Sequence, residues 1–203
     1  MTNQKKSRKQ QVEDRRESLL EAAITVIAQH GLSGTTISSI AKEAGCSFGV
    51  VSFHFQSKEG IIFAALDHAA EQYEDFLRSR SEAMPGARIR SMIESDFDGR
   101  VSSAKRLAVW VSFWAEAIRV EPYRKRCAEM RCHYFTTTRD DVAALAALRG
   151  ITVDAAQVSA SLNAMIDGYW INNLLTERTG PEGQAAAKDA CLTYMRGIFP
   201  DDF

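Results

Sequence analysis

The stretch that most constrains this chain is Thr36 to Lys58, TISSIAKEAGCSFGVVSFHFQSK. Ile37, Ile40, Ala41 and Ala44 recur at the i, i+3, i+4, i+7 spacing that puts one apolar stripe on a helix of about two turns. Thr36, or Thr35 beside it, can cap that helix, because a hydroxyl oxygen accepts from an orphan backbone N–H. Gly45 follows where a helix most easily ends in the left-handed conformation. Ser47 is then placed to cap a second helix carrying Phe48, Gly49, Val50, Val51, Ser52 and Phe53. Two short helices around a glycine turn are either a corner of an ordinary bundle or a helix-turn-helix, whose second helix enters a DNA major groove.

The surrounding residues favour the second reading. Gly31, Thr35-Thr36, Ile40-Ala41, Ala44-Gly45, Ser47, Gly49, His54-Phe55 and Lys58-Glu59 keep, without a gap, an order and spacing that resembles the N-terminal domain of TetR-family repressors. Ser52 departs from it, since most members carry Tyr there. The resemblance implies a homodimer on a palindromic operator. Two recognition helices would then read half-sites about 34–36 Å apart, or a multiple of that. Thr36, Ser38 and Ser47 offer hydroxyls and helix N-terminal N–H groups to phosphates, His54 a ring donor, and Lys58 a charge. Phe48, Val50, Ser52 and Phe53 are the candidates for base contact, through thymine methyls and one hydroxyl, and Gly49 lets the backbone come close. For each of these residues, plain core packing is the competing reading.

With 203 residues and 45% apolar composition, the chain can bury one sizeable core or two small ones. No apolar run reaches the length of a membrane span or a signal-peptide core, so a cytoplasmic protein is expected. The net charge is −1, yet Lys5, Lys6, Arg8 and Lys9 precede every acidic residue. This tail is either a solvated terminus or an arm that follows DNA phosphates. Four cysteines without an export signal are expected as free thiols. Cys127, Cys132 and His133 suggest metal ligands, but residues five or six apart on a helix diverge, so no metal site is expected. Cys46 lies in the turn, where relatives carry a small apolar residue and cysteine packs as one. No nucleophile has a matched base, no glycine-rich phosphate loop is present, and the four histidines are scattered. An enzyme is not expected, nor a cofactor.

The rest reads as helix throughout, giving an all-α fold of about nine helices. Leu19, Leu20, Ala23, Ile24, Ile27 and Ala28 mark a first helix from Glu13 to His30, stopped by Gly31. Ile62, Leu66, Ala69, Tyr73 and Phe76 mark a connecting helix from Lys58 to Ala83, ended by Pro85-Gly86. Further helices are expected at 87–97, 102–119, 122–148, 154–177 and 182–198. The expected division is a helix-turn-helix DNA-binding domain over 1–60 and a ligand-binding and dimerisation domain over 61–203. The helix from Asp154 is apolar on more than one face, and the last carries small residues at Ala186, Ala187 and Ala190. In the TetR family two such helices form a four-helix dimer interface.

All three tryptophans fall in the middle of the chain. Trp110, Phe113, Trp114 and Glu116 share one helix, and Asp167, Tyr169 and Trp170 another. They are either core or an aromatic box, whose ring faces attract a quaternary ammonium with a carboxylate to balance its charge. FDGRVSSAKRLAVWVSFWAEA (Phe97 to Ala117), Pro122-Tyr123-Arg124 and MIDGYW (Met165 to Trp170) resemble segments of the BetI subgroup, which responds to choline and controls glycine betaine synthesis. Ser52 before Phe53-His54-Phe55 also matches that subgroup. The resemblance implies a choline-like effector, with Trp110, Phe113, Trp114, Asp167 and Trp170 as pocket residues and Glu116 and Tyr169 behind them. It further implies repression relieved when ligand shifts the Lys58 helix. A regulator of efflux or catabolic genes answering a different hydrophobic or cationic molecule is the alternative.

Overall fold

The computed structural model describes residues 7–79 and 84–203, and shows helices with no strand among them. Lys5 and Lys6 of the basic tail lie outside the described residues, as does the expected end of the connecting helix near Ala83. The chain divides into two compact units, at Glu71 and Gln72.

The first unit holds α1 (Arg8–Gly34), α2 (Ile37–Glu43), α3 (Phe48–Phe55) and the first half of α4 (Lys58–Ser79). α1 begins earlier than the apolar period alone predicts, because Ser7 caps it by accepting from the Gln10 N–H at 3.2 Å. Gly31 breaks it as expected, with φ at 66°. Thr36, not Thr35, caps α2, and Ser39 returns the bond to the Thr36 N–H, so both donors are satisfied reciprocally. Thr35 is fully buried and donates instead to the Gly31 carbonyl at 2.7 Å. α2 ends in the full left-handed motif: Cys46 N–H donates to Ala41 O at 2.9 Å, Gly45 N–H to Lys42 O at 3.2 Å, and Gly45 has φ 60°. The unit is closed by buried Leu19, Leu20, Ala23, Ile24 and Ile27 of α1, with Ile40, Ala41, Val51, Phe55, Ile61, Ile62 and Leu66 also buried.

The second unit holds the remainder of α4 with α5 (Pro85–Asp96), α6 (Ala104–Ala117), α7 (Glu121–Arg149), α8 (Ala155–Leu175) and α9 (Pro181–Ile198). α7 packs on α5, α6 and α8, and α9 on α5 and α8. Ile89, Ile93, Leu107, Val142, Leu145, Leu162, Ile166, Cys191, Met195 and Phe199 form one continuous core. The C-terminus is tied to it: Asp202 accepts from Arg149 at 2.6 and 2.9 Å, and the Phe203 ring is buried. No described helix is long and apolar enough to cross a membrane.

Candidate functional site

α3 presents an unusual face. Val51 and Phe55 turn inward, while Phe48 is 55% and Phe53 78% exposed, with Ser47 and Gly49 exposed beside them and Val50, Ser52 and His54 half-buried. Two large aromatic rings are thus left in solvent on one short helix. Ser47 corrects one expectation. It occupies the N-cap position with extended backbone, but its hydroxyl makes no capping bond, so the first N–H groups of α3 are left to another acceptor. Thr36 and Ser38 are exposed at the start of α2. Lys58 donates to the Ser33 carbonyl at 3.4 Å, so its ammonium is partly engaged within the unit. Arg16 stands 5.4 Å over the Phe55 ring. Cys46 is half-buried in the turn and free.

In the second unit the structure brings together some of the expected aromatic residues and separates others. The indoles of Trp114 and Trp170 lie parallel within 8°, centroids 6.4 Å apart. Asp167 stands beside them but is already paired: the Arg131 guanidinium donates to it at 2.5 Å and sits 5.7 Å over the Trp114 ring. That bond holds Arg131 protonated against the opposing pull of its partial burial. Trp110 packs half-buried against the same core. Phe113 is completely buried outside that cluster, its ring 6.1 Å from Tyr123. Glu116 pairs with Arg119, in the turn just past the end of α6, at 3.1 Å. Tyr169 meets Phe97 edge-on at 6.3 Å. Cys127 is buried and its thiol pushed up by that burial, whereas Cys132 and His133 are exposed; no three ligating side chains gather among the described residues.

The most unusual group was hidden from sequence reasoning. Asp96, at the last turn of α5, is 0% exposed. Its carboxylate accepts from the Tyr73 hydroxyl of α4 at 2.5 Å and from the Tyr134 hydroxyl of α7, while its backbone carbonyl accepts from Trp170 Nε1–H at 2.9 Å. Burial pushes its carboxyl up to about 7, held back by the two tyrosine bonds and raised further by Asp167. Both hydroxyls are driven well above their ordinary value by burial and then by the Asp96 charge. One signal was readable: Ile89, Ile93 and Asp96 follow the i, i+4, i+7 period, which puts a carboxylate on an apolar face.

A family model described as "BetI-type transcriptional repressor, C-terminal" matches residues 85–200, and one for "Bacterial regulatory proteins, tetR family" matches 19–65. The chain is 32% identical over 188 residues to the HTH-type transcriptional regulator BetI of Burkholderia thailandensis, covering 90% of this chain and 92% of that one. A transcriptional regulator from Pseudomonas aeruginosa PAO1 superposes with a TM-score of 0.80 at 22% identity, covering 93% of this chain and 92% of that one. A transcriptional regulator from Saccharomonospora viridis, solved in complex with choline, superposes with a TM-score of 0.77 at 22% identity, covering 91% and 96%. At that identity both structures speak for the fold.

Proposed function

Because the chain belongs to the TetR family and is a BetI-type transcriptional repressor, not an enzyme, we propose that it binds a palindromic operator as a homodimer, is released by a choline-like quaternary ammonium, and so controls glycine betaine synthesis genes from the cytoplasm. The DNA-binding domain is then 1–60 and the ligand-binding and dimerisation domain 61–203. The observation that carries this reading is α3, with Phe48 and Phe53 exposed and Ser47 uncommitted at its start. Ser47, Thr36, Ser38, His54 and Lys58 hold phosphates, while Phe48, Gly49, Val50, Ser52 and Phe53 face the bases.

Support for a dimer comes from α8. Ala160, Ala164, Gly168, Ile171 and Leu175 are all exposed and follow one helical stripe, and Leu175 is 78% exposed. Such a row of small and apolar residues suits close helix contact with a symmetry mate, joined by Ala186 and Gly197 on the exposed side of α9. The effector site is lined by Trp110, Trp114, Trp170 and Asp167, with Phe113 backing α6 from its other side. Parallel indole faces beside a carboxylate suit an organic cation, and the choline complex of the Saccharomonospora neighbour supports that class. Arg131 occupies this mouth now. The Arg131–Asp167 pair is part-exposed, so opening it costs about 1 kcal/mol or less.

The test is fluorescence anisotropy of the dimer on labelled DNA from upstream of its own gene, at fixed salt, with and without millimolar choline. Release by choline is expected, by roughly 5- to 150-fold in affinity. Specific binding that choline leaves untouched would turn the search to a different effector. Arg131 over Trp114 would then favour a neutral or anionic one.

A further inference from the structure

We propose that Asp96, rather than Asp167, is the counter-charge for the ammonium group of the effector, and that Tyr73 passes its occupancy to α4; this rests on the quaternary-ammonium reading above. Asp167 is already paired with Arg131 and is part-exposed. Asp96 is fully buried, and no cationic side chain is among the described groups that shift its carboxyl. Its partners are two neutral hydroxyls, which leave lone pairs of the carboxylate unused. A charge so placed is unfavourable unless it is protonated or meets a cation. The groups around it are the ones an ammonium without N–H donors prefers. The Tyr73 and Tyr134 rings lie 5.9 Å apart, and the Trp170 indole is fixed to the Asp96 backbone by its own N–H.

The ionisable groups facing Asp96 are Tyr73 from α4, Tyr134 from α7, Asp167 from α8 and Cys191 from α9. None of them is cationic. The tyrosines are held protonated, and the Cys191 thiol is pushed up to about 12 by burial and then by the Asp96 charge. A quaternary ammonium arriving here holds Asp96 ionised, so binding near neutral pH releases the proton that the empty site carries. Tyr73 stands two residues inside the second unit on the helix whose first half belongs to the DNA-binding unit. A cation on Asp96 weakens the Tyr73 hydroxyl bond, and α4 is the element that feels it.

The experiment is calorimetric titration of the full-length dimer with choline and with tetramethylammonium at pH 7, in two buffers of different ionisation enthalpy. Tryptophan fluorescence provides a second reading. Wild type is expected to bind both cations with release of about half a proton per site. Asp96→Asn is expected to lose about tenfold or more in affinity and all of the proton release, while keeping its helical signal. Asp167→Asn is expected to cost less affinity than Asp96→Asn and to release fewer protons than wild type, because the Asp167 charge that raises the Asp96 carboxyl is gone. If Asp96→Asn does not fold, Tyr134→Phe replaces it. Losing a bond that favours the charged carboxylate must move the pH midpoint of choline binding upward, and an unchanged midpoint overturns the proposal. Binding that survives Asp96→Asn with its proton release intact, or dies with Asp167→Asn, overturns the assignment to Asp96 alone. Failure of wild type to bind either cation overturns the quaternary-ammonium reading itself.

Discussion

Single hydroxyls near the recognition helix separate stability from binding. Thr36 closes a reciprocal cap, whereas Ser47 sits at an N-cap without capping anything. Thr36→Ala is therefore expected to lower stability by about 1 kcal/mol in a urea titration. Ser47→Ala should leave the urea midpoint within about 0.5 kcal/mol of wild type and still weaken operator binding, with a shallower salt dependence. Asp96 makes a second residue-scale prediction. Its carboxyl is raised from the usual carboxylate value to about 7 in the folded chain. Folding therefore favours the protonated form; this contribution is full below about pH 4 and lost as pH rises through about 7. Comparing wild type with Asp96→Asn cancels the other groups, and the wild-type advantage should fall by on the order of a few kcal/mol across that interval. A pH-independent difference in thermal or urea midpoints would contradict the assigned state. Asp96 was missed because burial, not residue type, makes a carboxylate unusual, and its two tyrosine partners lie 23 and 38 residues away in sequence.

At the scale of elements, the helices were legible because each carries its own period and punctuation. The expected 122–148 is Glu121–Arg149, 154–177 is Ala155–Leu175, and 182–198 is Pro181–Ile198. Proline at the first turn of α7 and α9 and left-handed Gly150 after α7 mark these ends locally. α1 extends before the expected start at Glu13 because its first turns, polar but for exposed Val12, depend on the Ser7 cap and the Gln10–Asp14 bond, not on an apolar stripe. The join between α3 and α4 has a requirement invisible in any periodicity. A Cβ on Gly60 would meet the Phe55 carbonyl oxygen at 2.3 Å, a backbone atom that cannot swing aside. Gly60→Ala is expected to destabilise by about 1–3 kcal/mol and to weaken operator binding, while the tryptophan response to effector, in the other unit, persists. An unchanged melting curve would show that the turn relaxes freely.

For the whole molecule, the proposed dimer carries the strongest prediction, because one recognition helix reads too few bases to discriminate among genomic sites. The exposed stripe ending in Ile171 and Leu175 is the predicted seam. Leu175→Glu should halve the mass seen by light scattering and abolish tight operator binding, while each monomer retains its helical signal; a variant that stays dimeric would move the seam elsewhere. By itself the sequence determined the all-α class, the helix-turn-helix with its Gly45 turn, and the relation to BetI-type repressors, because these rest on short-range period, capping and spacing. Tertiary structure alone decided which aromatics meet: it paired Trp114 with Trp170, sent Phe113 to Tyr123, spent Asp167 on Arg131, and buried Asp96 between Tyr73 and Tyr134. The physical reason is that a side chain's charge state and partners depend on which helices pack across it, and that packing joins residues far apart along the chain.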